Sequence, residues 1–212
     1  MEAQALIIHG CGGHARSVAA NLLDLFENII FADAAARPGE TILGCKVVKD
    51  FRQIEKFQHC LHHVALGDLE RKKELFMELE ALGLRLPALA VRSAEIHDSA
   101  ELGDGTFVGA GAYVGPLAVI GKNSIINTHA VIEHDSRIGD HTHISVNSTV
   151  AGYCRIGSQV MLGAGATVID KTSIGDNCII GAGGVVCKDL TVAGTYVGVP
   201  VKLLKKQQDQ AL

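Results

Sequence analysis

The chain has few aromatic residues and no long apolar run. Tryptophan is absent, and aromatic residues make up only 4% of the sequence. No basic leader followed by an apolar core precedes the first predicted strand, and no apolar stretch is long enough to span a bilayer. We therefore expect a soluble polypeptide whose core is filled by aliphatic side chains.

The chain also lacks a basic cluster outside its C-terminal end, and its formal net charge is −4. This balance argues against nucleic acid or an anionic membrane as the main partner. The six cysteines include no Cys-x-x-Cys pair and no regular disulfide spacing. We expect them to be reduced and buried in a cytoplasmic protein, with Cys154 and Cys178 acting as small hydrophobic residues.

A strict six-residue period runs through the second half of the chain. Every sixth residue from position 96 to position 192 is aliphatic, and a second column, four residues after each of these, is small nearly throughout. Self-similarity at this period predicts a parallel β-helix of hexapeptide repeats. The aliphatic residue fills the prism and the small residue lets the corner close. The glycines that often follow the aliphatic position are expected to accept the φ > 0 of the turn.

The N-terminal part of the chain alternates short aliphatic strands with amphipathic helices. Residues 5–8 read as a strand, a helical pattern covers residues 15–26, and residues 29–32 read as the next strand. Alternating βα units predict a parallel, Rossmann-like α/β sheet. We therefore expect two domains, residues 1–92 and residues 93–212.

A glycine-rich turn joins the first predicted strand to the first helix. At such a helix N-terminus, backbone N–H groups can bind a nucleotide phosphate. Gly12 and Gly13 lie in this turn, and Asp33 follows the second strand, where an acidic side chain can accept a hydrogen bond from a ribose hydroxyl. The glycine spacing is not the full dinucleotide fingerprint, so we expect a mononucleotide or a nucleotide-sugar. The alternative is a tight turn that packs helix on strand and binds nothing.

His134 is the main candidate for acid–base chemistry in the repeats, because Glu133 and Asp135 flank it. If one coil takes three hexapeptides, about 18 residues, then Gly152 lies directly one coil after His134 (152 − 134 = 18). A glycine N–H beside an imidazole suits an oxyanion donor next to a general base. The spacing leaves open that His134 is only a polar residue on an exposed edge.

Two other chemistries fit the histidines less well. His141 and His143 share a strand face and could both bind a metal, but no cysteine or carboxylate falls at a matching coil position to complete the site. A Ser-His-Asp hydrolase is disfavoured, because the sequence has no Gly-x-Ser-x-Gly turn. We therefore expect no metal.

The hexapeptide run, with Gly198-Val199-Pro200 just after it, resembles the left-handed β-helix acyltransferases that use acetyl-CoA. Residues 8–15 (Ile-His-Gly-Cys-Gly-Gly-His-Ala), Asn127-Thr128 and residues 131–135 (Val-Ile-Glu-His-Asp) make the resemblance more specific. Together they are similar to a family of bacterial sugar acetyltransferases. That family includes the UDP-4-amino-sugar N-acetyltransferases of the bacillosamine pathway and the sialic acid O-acetyltransferases.

The resemblance implies a left-handed β-helix after a nucleotide-sugar-binding α/β domain. It also implies an acetyl-CoA-dependent N-acetyltransferase that acts on the 4-amino group of a UDP-4-amino-4,6-dideoxy sugar. In that reading His134 is the general base, Asp135 takes the place of a neighbouring acid that is commonly Glu, and the Gly152 N–H donates to the thioester carbonyl. The residues implied for the uridine nucleotide are Gly12, Gly13, His14 and Asp33. Those implied for acetyl-CoA are Asn127, His143, Gly152, Gly163, Gly181, Lys188 and Pro200.

The resemblance further implies a homotrimer with active sites between adjacent β-helices and no membrane insertion by this chain. Two alternatives stay open. One is an O-acetyltransferase for sialic acid or a related sugar that uses the same base, since residue types do not separate amine from hydroxyl acceptors. The other is a non-catalytic β-helix scaffold, for which a nucleotide-type domain and a histidine above a glycine would be unneeded features.

Overall fold

The structure is a computed structural model that describes residues 5–206. The chain divides into two compact units, residues 1–87 and residues 88–212. The first unit is an α/β sheet domain, and the second is a solenoid of short strands.

A five-stranded, mostly parallel sheet forms the first unit. Its strands are β1 (Leu6–His9), β2 (Ile29–Ala32), β3 (Thr41–Ile42), β4 (Cys45–Val48) and β5 (Leu61–Val64), in the spatial order β3-β4-β2-β1-β5. Its helices are α1 (Gly13–Leu22) and α2 (Leu69–Ala81). β1 pairs in parallel with both β2 and β5, and β3 is antiparallel to β4. This is the Rossmann-like arrangement that the alternating βα pattern predicted.

Aliphatic composition explains why β1 is central. Leu6, Ile7 and Ile8 are fully buried, as expected for a parallel strand that is covered on both faces. The buried face of α1 recurs at the three- and four-residue spacing of an amphipathic helix. It consists of Ala15, Val18, Ala19 and Leu22.

Short parallel strands stacked in three faces form the second unit, a left-handed β-helix. In chain order the strands are β6 (Leu89–Ala90), β7 (Glu95–Ile96), β8 (Glu101–Leu102), β9 (Phe107–Val108), β10 (Tyr113–Val114), β11 (Val119–Ile120), β12 (Ile125–Ile126), β13 (Val131–Ile132), β14 (Arg137–Ile138), β15 (His143–Ile144), β16 (Thr149–Val150), β17 (Arg155–Ile156), β18 (Met161–Leu162), β19 (Thr167–Val168), β20 (Ser173–Ile174), β21 (Cys178–Ile180), β22 (Val185–Val186), β23 (Gly194–Val197) and β24 (Lys202–Lys206).

Each face collects every third strand from β6 to β22. The first face is β6-β9-β12-β15-β18-β21-β23, extended by the antiparallel β24; the second is β7-β10-β13-β16-β19-β22; the third is β8-β11-β14-β17-β20. Val131 of β13 pairs with Thr149 of β16, so one coil consists of three hexapeptides, as the sequence predicted.

Both sequence columns point into the prism. The aliphatic positions from Val108 to Val186 and the small positions from Thr106 to Cys178 are at most 4% exposed. Hydroxyl groups of the small column are paired within the prism wall. For example, Ser136 Oγ donates to the Ala151 carbonyl at 2.8 Å and accepts from the Cys154 N–H at 3.0 Å. The inward polar atoms are thus satisfied one coil away.

The predicted location of the left-handed backbone is wrong. The positive φ does not fall on the glycine after the aliphatic position but two residues later, at corner positions such as Asn123 and Asp135. Those glycines are needed for a different reason, which is the close stacking of the coils. A Cβ on Gly139, for example, would lie 2.6 Å from the backbone of Gly157 on the next coil.

The six-residue period ends before its last predicted position. Val192 is 46% exposed, because the chain leaves the regular coil after Val186. Leu190 takes the inward place instead and bridges to Ile174.

The cysteines are all free, but they are not all buried. Cys60, Cys154 and Cys178 are buried as expected, whereas Cys187 is exposed, because it stands at an outward corner position just after β22. Within residues 5–206, no helix combines the length and the apolar character needed to cross a membrane.

Candidate active site

His134 stands at the corner between β13 and β14, where the chain turns from the second face to the third. Asp135 is the left-handed residue of this corner, with φ at 58°, a conformation that Asp adopts more readily than most residues. Its carboxylate turns back to the preceding ring, so that Oδ2 lies 2.9 Å from Nδ1 of His134. Because an ionised carboxylate only accepts hydrogen bonds, Nδ1 carries the proton and Nε2 of the neutral ring is the free base.

The His134 ring covers Gly152 on the next coil. A Cβ at position 152 would lie 2.7 Å from Cε1 and 2.8 Å from Nε2 of His134, so glycine is what leaves room for the ring. Sequence reasoning missed Tyr153, whose ring meets the His134 ring edge to face with centroids 5.2 Å apart. Tyr153 was detectable, because it occupies the Asp135 position one coil further along.

These groups can accept a proton and donate a hydrogen bond at one place. The His134 side chain is 46% exposed, so its Nε2 is reachable from solvent. The Gly152 carbonyl accepts from the Lys171 N–H at 2.9 Å, whereas the Gly152 N–H has no acceptor in the part of the chain that the structure describes. A base beside an open N–H is the combination that acyl transfer to a nucleophile requires.

Asn127 and His143 meet elsewhere on the same β-helix. Asn127 stands at the corner between β12 and β13, and His143 begins β15 on the first face. The Asn127 Oδ1 accepts from the Thr128 N–H at 2.8 Å, and its Nδ2 lies 3.2 Å from His143 Nε2. Since the amide nitrogen donates, His143 Nε2 accepts. This pair therefore lies at a different corner of the prism from His134.

The glycines along the implied coenzyme groove differ in the space that is available for a Cβ atom. A Cβ on Gly163 would lie 2.6 Å from the Ala182 backbone nitrogen, and one on Gly181 would lie 2.9 Å from the chain that follows. Coil packing thus requires Gly163 whatever it binds, whereas at Gly181 the close atom is only the Val197 side chain, with the nearest backbone atom at 3.5 Å. Gly165 and Gly183, which sequence reasoning missed, have left-handed φ of 67° and 65° and open space around a Cβ. They leave the backbone accessible, which suits the thin pantetheine arm of acetyl-CoA.

Lys188 and Pro200 lie further along the β-helix. Lys188 is exposed and falls on the His134 corner three coils on, because β22 continues the register of β13, β16 and β19. At about 4.8 Å per coil, its backbone lies about 14 Å from that of His134. Pro200 is exposed and follows a cis peptide at the turn between β23 and β24. The implied coenzyme residues are therefore spread along the coils, as an extended ligand requires.

In the first unit, the loops after β1 and β2 meet at the carboxyl edge of the sheet. Gly12 caps α1 and Gly13 begins it, and a Cβ on either would meet nothing within 4 Å. Asp33 Oδ2 accepts from the Cys11 N–H at 3.0 Å, and Oδ1 accepts from the Ala35 N–H at 2.9 Å. Although burial acts to raise the pKa of Asp33, these hydrogen bonds and a nearby arginine hold it below its usual value. The uncovered glycine turn and the carboxylate are thus adjacent.

His14 lies in the first turn of α1 and is half-buried. Burial and the charge of Lys72 lower the pKa of His14 to about 4. The ring is therefore neutral near pH 7.

The third loop at this edge is Gly67-Asp68, which follows β5. Asp68 Oδ1 accepts from the Arg71 N–H at 2.9 Å and caps α2. The sequence pattern indicates a strand that ends at Gly67 and a helix that begins at Asp68, but it did not place this loop among the candidate site residues.

His141 does not join His143 in a metal site. The His141 Nδ1 lies 2.9 Å from the Asn123 amide nitrogen at the corner before β15. Across residues 5–206, no three His, Cys, Asp or Glu side chains are grouped so that they could hold a metal ion.

Two family models match the chain. The model of the bacterial transferase hexapeptide matches residues 117–152 and 153–188, which include the His134 corner. The model of the PglD N-terminal domain matches residues 5–79. No curated protein matches the chain. The second unit with its corner histidine is thus that of a hexapeptide-repeat transferase.

Solved structures narrow this class. The acetyltransferase domain of PglB from Neisseria gonorrhoeae is 30% identical with a TM-score of 0.89, over 95% of this chain and 100% of that one, and it has also been solved with acetyl coenzyme A. PerB from Caulobacter crescentus, in complex with CoA and GDP-perosamine, is 35% identical with a TM-score of 0.83, over 94% of this chain and 96% of that one. The chain belongs to this family of PglB/PglD-type sugar acetyltransferases.

Proposed function

We propose that the protein transfers the acetyl group of acetyl-CoA to the 4-amino group of a UDP-linked 4-amino-4,6-dideoxy sugar, as in bacillosamine-type glycan biosynthesis. The observation that carries the proposal is the His134 corner, with Nδ1 held at 2.9 Å by Asp135 and the ring lying over Gly152. The match of the first unit to the PglD N-terminal domain supports a nucleotide-sugar acceptor. The complex of PerB with GDP-perosamine supports an amino sugar.

The proposed chemistry is direct attack of the amine on the thioester. The amine must be neutral to attack, so His134 Nε2 takes its proton as the new C–N bond forms. The C–S bond then breaks, and CoA leaves as the thiol with the proton that His134 Nε2 took from the amine. Asp135 holds the ring in the reactive tautomer, and the Gly152 N–H stabilises the developing oxyanion. General-base help of this kind contributes about 10²–10⁴-fold, and one oxyanion donor contributes about 10²–10³-fold.

The nucleotide end of the acceptor is assigned to the first unit. Gly12 and Gly13 present uncovered backbone at the N-terminus of α1, which suits a phosphate. The Asp33 carboxylate suits a ribose hydroxyl, and the neutral His14 ring suits a hydrogen bond. A cytoplasmic location is part of the same proposal.

A homotrimer with shared active sites is also part of the proposal. Asn127 and His143 lie at a different corner of the prism from His134. One β-helix cannot hold a thioester against both the Asn127–His143 pair and His134. The proposal therefore includes a second β-helix, whose Asn127 corner lies beside the His134 corner of the first.

Thiol release from acetyl-CoA with a panel of acceptors tests the function. The panel contains a UDP-4-amino-4,6-dideoxy sugar, GDP-perosamine, UDP-GlcNAc, free sialic acid and CMP-sialic acid. We expect release with the UDP-amino sugar. The variant His134→Asn should lower turnover about 10²–10⁴-fold while acetyl-CoA affinity stays within a few-fold of wild type. The matched control is His59→Asn, which removes an exposed histidine of the first unit just before β5, at the opposite end of that strand from the nucleotide loops, and should leave turnover unchanged.

Other outcomes would redirect the assignment. Release only with GDP-perosamine would replace the uridine nucleotide, and release only with a sialic acid would replace the amine by a hydroxyl. Turnover of His134→Asn within a few-fold of wild type would remove His134 from the role of base. No release with any acceptor, together with no acetyl-CoA binding, would leave the β-helix as a scaffold.

A further inference from the structure

Two arginines stand side by side on the third face of the β-helix. Arg137 of β14 is the register partner of Arg155 of β17, and both side chains point outward and are exposed. Neighbouring strands are about 4.8 Å apart, so the two guanidinium groups leave the wall as a close pair. Like charges directly opposite each other on a sheet destabilise it, so this pair calls for an explanation.

No carboxylate neutralises the pair. Within residues 5–206, neither arginine comes within ion-pair distance of an acidic side chain. Glu101 shares the outward column of this face but is separated from Arg137 by the Val119 strand. Each uncompensated guanidinium group presents a planar fork of donors that matches the oxygens of phosphate better than a lysine does.

An open cavity of about 500 Å³ adjoins the pair and is lined by both arginines. Its far end is acidic and polar, with Asp176, Asp189 and Thr191 in the wall. Each carboxylate is fixed through one oxygen, since Asp176 Oδ1 accepts from the Ser158 N–H at 2.7 Å and Asp189 Oδ1 accepts from the Ser173 N–H at 2.8 Å. The second oxygen of each remains as an acceptor.

These features describe a ligand with anionic groups at one end and hydroxyl or amino donors at the other. Carboxylates would repel inorganic phosphate but would accept hydrogen bonds from the hydroxyls of a ribose or the amino group of a base. We propose that this cavity binds a nucleotide, with its phosphates on Arg137 and Arg155 and its donors on the Asp176 and Asp189 carboxylates.

The place of the cavity relates the nucleotide to the reaction. Arg137 follows His134 by three residues, a distance of at most about 10 Å along the chain. A phosphate on Arg137 is therefore within one ligand length of the transferred acetyl group. This inference rests on the proposed function, which assigns the sugar nucleotide to the first unit. The expected source is therefore the phosphorylated ADP portion of acetyl-CoA, and the diphosphate of the sugar acceptor is the alternative that the test separates from it.

Calorimetric binding without turnover tests the site. Adenosine 3′,5′-bisphosphate, coenzyme A, dephospho-CoA and UDP are titrated into wild type, the double variant Arg137→Gln/Arg155→Gln and the control Lys202→Gln, which removes an exposed cation outside the cavity. Hydrogen bonds to charged groups contribute about 1.5–3 kcal/mol, so the double variant should bind one class of nucleotide at least about 10-fold more weakly. The control should stay within twofold of wild type.

The titrations also identify the source. Weaker binding of coenzyme A and of the bisphosphate, but not of UDP, assigns the site to the coenzyme. If dephospho-CoA binding is then unchanged by the substitutions, the 3′-phosphate is the group that is bound. Weaker binding of UDP alone assigns the site to the sugar nucleotide. Unchanged binding of every nucleotide to a folded double variant would overturn this site and leave the proposed function intact, whereas wild type that binds none would overturn both.

Discussion

The two units of the molecule bury polar atoms in opposite ways. The first unit encloses ionisable side chains, with His9, His62, His63 and Lys72 all at most 3% exposed. The β-helix encloses hydroxyl and thiol groups, such as those of Thr142 and Cys154, and in its described residues no histidine and no acidic or basic side chain is buried. The difference shows where each unit is vulnerable: the first to protonation, the second to added volume.

In the first unit the buried histidines are held neutral. His62 Nε2 donates to the Phe57 carbonyl at 2.9 Å, so His62 Nδ1 accepts from His9 Nε2, also at 2.9 Å. Burial, with the charges of neighbouring groups second, lowers the pKa of His9 and of His63 to about 3. Burial lowers the pKa of Lys72 to about 7. A proton on any of these groups would have to be taken into a largely apolar interior.

In the β-helix the hydroxyl groups of the small inward column form hydrogen bonds with the backbone of the next coil. Thr142 Oγ1 donates to the Gly157 carbonyl at 2.9 Å and accepts from the Val160 N–H at 3.2 Å. This pattern recurs from coil to coil and carries no charge. The wall therefore tolerates a change of pH, but it has no spare volume between the coils.

Acidification should produce the largest difference between the two units. The folded-state pKa values of His9 and His63 lie near 3 and that of His14 near 4, below the unfolded value of 6.5. Below pH 6.5 the unfolded chain takes up protons that the native unit refuses, so the free energy of unfolding falls until the folded pKa is reached. Each such histidine lowers the free energy of unfolding by on the order of 2 kcal/mol between pH 6.5 and 4.5. Lys72 adds nothing in this window, because its penalty is already complete below pH 7.

Two spectroscopic signals separate the units in an acid titration. Both helices of the described residues lie in the first unit, and all three tyrosines (Tyr113, Tyr153 and Tyr196) lie in the second. Helix ellipticity should therefore be lost at a higher pH than the near-ultraviolet signal of tyrosine. His63→Met should flatten the pH dependence of the helix signal, whereas His97→Met, at an exposed position, should not. Coincident transitions would contradict the assignment of acid sensitivity to the first unit.

A single added methyl group should destabilise the β-helix more than the first unit. In Gly139→Ala the new Cβ would lie 2.6 Å from the Gly157 and Ser158 backbones on the next coil, so two coils must separate locally. We expect a loss of about 1–3 kcal/mol in the free energy of unfolding. The matched control is Gly67→Ala in the first unit, where a Cβ meets nothing within 4 Å. Equal loss in both variants, measured by urea unfolding, would refute the contrast in packing.

The comparison also shows which features a sequence reveals. The β-helix, its two inward columns and the stacking of His134 over Gly152 were predictable, because every contact there joins residues a fixed number of positions apart. The corner conformation was misjudged because the period does not say which residue of a hexapeptide turns left-handed. Coil packing, rather than backbone conformation, is what requires Gly139.

Contacts without a fixed spacing were out of reach. The pairing of His9 with His62 depends on β1 lying beside β5, which no local pattern encodes. The Arg137–Arg155 pair follows the 18-residue coil spacing and was available in principle. Its importance comes from the missing carboxylate partner and the adjoining cavity, which only the folded wall reveals.

The smallest expected effect is that of Asp33→Asn, which tests whether the nucleotide-sugar binds to the first unit and acetyl-CoA to the second. Asp33→Asn keeps an oxygen acceptor for only one of the Cys11 and Ala35 N–H groups, which bond to the two carboxylate oxygens at 3.0 and 2.9 Å, and it removes the charge that favours a ribose hydroxyl. We expect the KM for the nucleotide-sugar to rise about 10-fold, the value of one charge-assisted hydrogen bond, while kcat and the KM for acetyl-CoA stay unchanged. Initial rates with each substrate varied in turn measure the three constants.

Asp50→Asn is the control for a purely structural effect of Asp33→Asn, because Asp50 also accepts a backbone hydrogen bond, from the Arg52 N–H at 2.9 Å, but at a different turn of the first unit. It should leave every kinetic constant within twofold of wild type. If Asp33→Asn lowers the unfolding temperature and leaves the KM for the nucleotide-sugar unchanged, Asp33 only ties two loops together. If it raises the KM for acetyl-CoA instead, the division of the two substrates between the two units is wrong, because a change at the sheet edge would then act on the ligand assigned to the β-helix.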